Sequence, residues 1–479
     1  MRAVSAPSTG ESQTAGSFDL AVIGAGSAGF SAAITGAELG ARVALIGHGT
    51  LGGTCVNIGC VPSKTLIRAT ETLHHAAAAN RFAGIEAKAR LVDWSALVAQ
   101  KDALVAALRQ SKYADLLPHY EAITYLDGPA RLTPQGVDVN GRKLSARHII
   151  IATGARPAVP AVPGLDNVPF LTSTEALDLD HRPGSLIVMG GGYIGAELAQ
   201  MFARTGTTVT LVMRTRLLPK AEPEIGAALT RYLRDEGLDI REGLTYRGVR
   251  KTARGIALDV TEAGHARTIE ADHILIATGR RPNSEGLGLD DIGIARNSSG
   301  GIEVDEHMRT ARDHIYAAGD VTGRDQFVYM AAYGARIAVG NALNGKSLRY
   351  DATAMPAVVF TDPQVASVGL TEAEARAQGT VVRTSVLPLD YVPRALAARD
   401  TRGLIKLVAD ADSDRLLGAH ILAPEGADTI GAAALAIRSA MTVSDLADTI
   451  FPYLTTVEGL KLAAQTFEKD VARLSCCAG

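Results

Sequence analysis

Cysteine is scarce in this chain, at four in 479 residues, and tryptophan occurs once. The cysteines fall into two close pairs, Cys55 with Cys60 and Cys476 with Cys477, so no thiol is left over for structural duty. Neither sign of charge is in excess: the formal net charge is -3, which argues against nucleic acid or an anionic membrane as the principal partner. No stretch approaches the roughly 20 apolar residues of a membrane span, so none is expected. The first sixteen residues, Met1 to Gly16, lack the apolar core of a secretory signal and read as a disordered tail. Thiols that must cycle through their reduced form fit a reducing compartment, and a cytoplasmic location is expected.

With 47% hydrophobic residues the chain can fill several cores, and its length suggests two to four domains. Sulfur confined to two pairs points to redox chemistry or soft-metal binding.

Two segments repeat one pattern. Phe-Asp-Leu-Ala-Val-Ile from Phe18 breaks into Gly24, Gly26 and Gly29, followed by an alanine-rich helical run over Phe30 to Leu39 and a strand over Arg42 to Ile46. From Ser185 a second strand breaks into Gly190, Gly192 and Gly195, followed by a helix and a strand over Thr207 to Met213. In each, one glycine allows the sharp turn, one lets the backbone approach a pyrophosphate, and one lets helix and strand pack closely. Two different dinucleotides are implied.

The acidic residue expected after the second strand of each unit, for the ribose hydroxyls, is missing twice. In the second unit Arg214 and Arg216 stand there, cations suited to a 2′-phosphate, so NADPH is favoured over NADH. In the first, Gly47 and then His48 leave the ribose without an obvious side-chain acceptor. Two Ala-Thr-Gly phrases, at Thr153-Gly154 and Thr278-Gly279, read as domain exits, and Gly319-Asp320 sets a carboxylate before a helical run. The last residues, from Tyr350, alternate strands and helices without glycine fingerprints and read as a separate domain or interface.

These two motifs, the phrase Gly-Gly-Thr-Cys-x4-Cys-Val-Pro-Ser-Lys over residues 52–64, the Ala-Thr-Gly exits and Gly319-Asp320 resemble the flavin-dependent pyridine nucleotide disulfide oxidoreductases, from Phe18 onward. The resemblance implies an α/β fold with two Rossmann-like dinucleotide-binding domains, for FAD and NADPH, and a C-terminal α+β dimerisation domain. The expected bounds are a tail over 1–16, FAD-binding segments over 17–155 and 280–349, the NADPH-binding domain over 156–279 and the dimerisation domain over 350–479. FAD contacts are implied at Gly24, Gly26, Gly29, Gly49, Thr54, Lys64, Ala130, Thr153, Gly154, Asp320 and Val328. NADPH contacts are implied at Gly190, Gly192, Gly195, Glu197, Arg214, Arg216 and Gly279, and a homodimer with active sites shared between subunits is expected.

By the same resemblance Cys60 is the flavin-proximal sulfur and Cys55 the exchanging one, Lys64 pairs with Glu197, and Tyr193 is an aromatic gate. Cys55 and Cys60 lie just before a helix, with Pro62 near its first turn and Lys64 after it, so dipole and ammonium are expected to favour a thiolate.

Members that reduce organic disulfides carry a His-Pro-Thr-x-x-Glu phrase near the C-terminus, where His and Glu serve the leaving thiol. Here Glu458 remains, but Tyr453 stands in the histidine position, and a phenol with a pKa near ~10 is a poor base at neutral pH. Adjacent Cys476 and Cys477 can present two soft thiolates to one metal ion and release it by ligand exchange. Both departures, with the phrases around Pro356 and Pro393, are similar to the members that reduce Hg(II) to Hg(0). The tail of one subunit is expected to pass Hg(II) to Cys55 and Cys60 of its partner, where Tyr453 and Tyr193 line the site; no further cysteine pair shares that task. One alternative is a thioredoxin-reductase-like enzyme, which would still need the histidine. Another is a soft-metal thiol buffer, which would need neither nucleotide motif.

Overall fold

The computed structural model describes residues 17–471; the tail over 1–16 and the Cys476–Cys477 pair lie outside them. The chain divides into two compact units, one within Met1–Asn57, Val105–Arg156 and Arg280–Tyr350, the other within Ile58–Leu104, Pro157–Gly279 and Asp351–Gly479.

The first unit is built on a five-stranded parallel sheet. β1 (Phe18–Ile23) lies between the strand Ala146–Ile151 and β2 (Val43–Gly47), with β3 (Ile123–Asp127) beyond β2 and Ile315–Ala317 at the other edge. β1 pairs Leu20 with Val43 and Ile23 with Ile46, and its last four residues are buried, as for a strand covered on both faces. The helix α1 (Ser27–Glu38) crosses between β1 and β2 and starts three residues before the expected run, directly after Gly26. The helix Val328–Asn344 packs with α1 on one face of the sheet, in a core holding Leu20, Val22, Leu45 and Ala335. A three-stranded antiparallel meander, 130–144, contributes Leu132 and Val137 to the core on the other face.

The second unit repeats the theme. Strands Asp239–Arg241, Thr208–Val212, Ser185–Met189 and His273–Ile276 form a parallel sheet in that order, and the helix Tyr193–Arg204 crosses between the two in the middle. An antiparallel meander spans 245–271. The C-terminal part of this unit is a five-stranded antiparallel sheet, with Val368, Leu407 and Ile421 packed against Ile430 and Ala433 of the helix Gly426–Arg438 and Leu460 and Ala463 of Glu458–Gln465. No helix among the described residues is long and apolar enough to cross a membrane.

Candidate active site

The first glycine turn is a cradle that side chains would fill. Gly24 has φ +116°, and a Cβ there would stand 2.3 Å from the Ala152 carbonyl oxygen. A Cβ on Gly29 would stand 1.7 Å from the Gly24 carbonyl oxygen, so this glycine sets the close approach of α1 to the turn. Gly26 precedes the first helical residue, no side chain caps the helix, and the free N–H groups of its first turn suit a pyrophosphate. Gly319, with φ +77°, lets the chain before Asp320 come against Ala28 of α1: a Cβ would lie 3.1 Å from the Ala28 Cβ. Burial raises the Asp320 pKa above the usual carboxylate range, against the pull of Arg280, whose Nε lies 3.7 Å away. Thr153 Oγ1 donates to the Asn283 backbone carbonyl at 2.7 Å, and the Asn283 backbone N–H donates to the Gly154 carbonyl at 2.9 Å. Val328 opens its helix, Ala130 opens a meander strand, and Gly49 is exposed at φ +85°.

The segment after β2 carries the first cysteine. Gly52 donates its N–H to the Ala25 carbonyl at 3.0 Å, and a Cβ on Gly53 would stand 2.6 Å from the Gly26 Cα. Both have positive φ, at +96° and +66°. This glycine doublet, visible directly before Thr54-Cys55 but assigned no role from sequence, docks the short helix α2 (Gly53–Ile58) onto the first dinucleotide turn. Thr54 and Cys55 are half-buried on α2. Asn57 stiffens it by donating to the carbonyls of Leu51 and Gly53 at 2.9 and 2.8 Å, and Arg109 donates to Asn57 Oδ1 at 3.3 Å.

In the second unit Cys60, exposed, is the first residue of α3 (Cys60–Ala77), at the positive end of an 18-residue helix. One turn on, Lys64 Nζ meets Glu197 Oε2 at 2.6 Å, as the resemblance implied. Glu197 is buried, and its other oxygen accepts the Phe360 N–H at 2.9 Å, while Lys64 lies over the Phe360 ring. Phe360 carried no sequence signal, since it reaches this place from 163 residues away.

The second glycine turn copies the first: a Cβ on Gly190 would stand 2.3 Å from the Ala277 oxygen, and one on Gly195 would stand 1.8 Å from the Gly190 oxygen. Gly192 precedes the helix Tyr193–Arg204, and nothing lies within 4 Å of where its Cβ would be. Tyr193 is the first residue of that helix, and burial raises its pKa. The two arginines differ in position. Arg216 donates to the carbonyls of Pro219 and Ala221 at 2.9 and 2.6 Å and so clasps its own loop. Arg214 is exposed, with its guanidinium over the Tyr246 ring. Gly279 has φ +119° and accepts from the Ala158 N–H at 2.9 Å.

Tyr453 is 56% exposed. Glu458 opens the helix Glu458–Gln465, is buried, and accepts the Leu454 N–H at 3.2 Å; burial raises its pKa. Cys476 and Cys477 lie outside the described residues. Among the described residues no cluster of three His, Cys, Asp or Glu side chains could hold a metal ion.

Two glycine cradles, each between a parallel strand and a helix, define a protein built to bind two dinucleotides. Residues 18–336 match the family model for pyridine nucleotide-disulphide oxidoreductases, and residues 355–464 match the dimerisation domain of that family. The chain belongs to the pyridine nucleotide-disulphide oxidoreductases.

Its curated relatives include the mercuric reductase of Staphylococcus aureus, 46% identical with 97% of this chain and 85% of the relative covered. That of Streptomyces lividans is 47% identical with 96% and 98% covered, and that of Shigella flexneri is 48% identical with 97% and 84% covered. A solved Cu(II) complex of the HOCl-induced flavoprotein disulfide reductase RclA from Escherichia coli superposes with a TM-score of 0.83 at 31% identity, covering 95% of this chain and all of that one.

Proposed function

We propose that this chain is an NADPH-dependent flavoenzyme that reduces Hg(II) to Hg(0), in the net reaction Hg(SR)2 + NADPH + H+ → Hg(0) + NADP+ + 2 RSH. The observation that carries the reading is the pair Tyr453 and Glu458. Where disulfide-reducing members place histidine and glutamate, this chain offers a phenol and a carboxyl engaged with the Leu454 backbone, so the acid/base for a leaving organic thiol is missing. A metal ion leaving its thiolates needs no such partner. Identities of 46–48% with three mercuric reductases point the same way.

FAD is held by the first cradle, with the turn at Gly24, Gly26 and Gly29 on its pyrophosphate and Asp320, Thr153, Gly154, Gly49, Thr54, Ala130 and Val328 around it. NADPH is held by the second, with Gly190, Gly192, Gly195 and Gly279 at its backbone and Arg214 free to take the 2′-phosphate while Arg216 clasps the loop. When bound, the two cofactors supply the electron pair. Cys60, at the start of α3, has the helix dipole to favour its thiolate, and Cys55 on α2 exchanges ligands with the incoming metal. Lys64 supplies positive charge near the flavin, held in place by Glu197. Tyr193 shields the nicotinamide side, and Tyr453 desolvates the metal rather than taking a proton. Cys476 and Cys477 of one subunit collect Hg(II) for the other in a homodimer with shared active sites, in the cytoplasm.

The test is NADPH oxidation by the purified protein with HgCl2 in excess small thiol, beside glutathione disulfide and oxidised thioredoxin. Mercury-dependent oxidation, weakened under thiol competition in the Cys476→Ala/Cys477→Ala variant, is expected. Turnover with a disulfide alone would overturn the reading, as would tight mercury binding without NADPH consumption.

A further inference from the structure

The place of the missing acid at the end of β2 is occupied. Gly47 is buried, and a Cβ built on it would stand 2.6 Å from Tyr125 Oη, 2.9 Å from Tyr125 Cε2 and 2.8 Å from the Ala25 Cβ. No side chain fits at residue 47 while Tyr125 is there, so glycine at 47 and tyrosine at 125 are one feature.

The geometry follows from strand register. Tyr125 on β3 pairs with Leu45 on β2, two residues before Gly47, and alternation puts residues 45, 47 and 125 on one face of the sheet. That is the face α1 covers, and Tyr125 packs in the same core as Leu45 and Ala25. The ring runs along the sheet toward the carboxyl end of β2 and brings its hydroxyl beside the turn between Gly24 and Gly26. In a dinucleotide fold this is where an Asp or Glu accepts from the adenosine ribose. Tyr125 is half-buried, and its hydroxyl makes no hydrogen bond among the described residues. Burial first, and then the charge of Asp127, raise its pKa, so the phenol stays protonated at neutral pH and can both donate and accept.

We propose that Tyr125 is the ribose-holding residue of the first nucleotide site, its Oη replacing the carboxylate that Gly47 cannot carry. The proposal rests on the assignment of FAD to that site. A carboxylate offers the ribose two acceptor oxygens and a full charge, whereas a phenol offers one neutral oxygen, so FAD is held here with a single exchangeable contact in place of a charged fork.

The experiment compares flavin release from full-length holoenzyme, followed by the gain in flavin fluorescence, in the parent chain and Tyr125→Phe. Each is loaded with FAD or with an analogue lacking both adenosine ribose hydroxyls. With FAD, release from Tyr125→Phe is expected to be about fivefold faster, the weakening produced by losing one neutral hydrogen bond. The parent chain should release the analogue faster than FAD, and that difference should vanish in Tyr125→Phe. Equal FAD release from the two proteins, or discrimination that persists in Tyr125→Phe, would overturn the proposal. A parent chain that retains no FAD would overturn the cofactor assignment itself, a distinct outcome read before any variant is made.

Discussion

Lys64 and Glu197 show how much one buried pair organises. Glu197 is 5% exposed and accepts from two groups, the Lys64 ammonium at 2.6 Å and the Phe360 N–H at 2.9 Å. Replacing Lys64 by methionine leaves a carboxylate in the interior with one neutral donor. A loss of roughly 2 kcal/mol is expected, reduced from the range for fully buried pairs because the lysine is partly solvated. Lys64→Met/Glu197→Gln should recover most of it, since no buried charge is then left alone. Thermal melts of the two variants and the parent check this, and a double variant no more stable than Lys64→Met would count against it. The resemblance had named this pair, but Phe360 as its third member was not legible. Arg216 shows the opposite limit: the sequence placed it with Arg214 as a phosphate reader, and the structure gives its guanidinium to carbonyls of its own loop.

The elements that carry chemistry are the two strand-turn-helix units, and their glycines are stereochemical requirements. An alanine Cβ at Gly195 would need the Gly190 carbonyl oxygen to move from 1.8 Å to beyond about 3 Å, which re-aims the first turn of the helix at the nucleotide. Gly195→Ala is expected to raise the KM for NADPH at least about tenfold while the protein stays yellow, because the first cradle belongs to the other compact unit. Steady-state kinetics with an absorbance spectrum decide it; loss of flavin with unchanged KM would contradict the division of roles. These units were legible almost to the residue, because a buried parallel strand ending in spaced glycines has few other readings. The doublet Gly52-Gly53 was not, since its need for positive φ arises only from docking against Ala25 and Gly26.

At the scale of the molecule, four histidines are held below their ordinary pKa of 6.5, in each case first by burial: His74, His148, His273 and His420. For these groups the unfolded chain binds protons at a higher pH than the folded one, so stability is unaffected above about pH 7 and falls as pH drops through about 6.5. The melting temperature is therefore expected to be level between about pH 7 and 8 and to decline toward about pH 5.5. His74→Gln should lessen the decline, and a profile flat to about pH 5.5 would refute this account. The dimerisation segment bears a second prediction. Ile450 is 92% exposed and Leu435 67% exposed, an arrangement a lone subunit has no reason to keep. Ile450→Arg should shift sedimentation toward the monomer and lower activity with it, if each site needs its partner; an unchanged dimer would remove Ile450 from the interface.

The sequence by itself determined the two glycine turns, a helix carrying Pro62 and Lys64 in its first turns, and the Tyr453 departure; it set both Cys55 and Cys60 before that helix, whereas Cys55 lies within α2 and Cys60 opens α3. Each feature it determined is written in a contiguous stretch, where backbone conformation and side-chain chemistry are set by neighbours in the chain. Tertiary structure alone decided that Phe360 steadies Glu197, that Asn283 braces the Gly154 turn, and that Tyr125 fills the place of the acid missing at Gly47. Those outcomes depend on strand register and on segments some 80 to 160 residues apart coming within hydrogen-bonding or van der Waals reach, and no local periodicity encodes which residue will arrive.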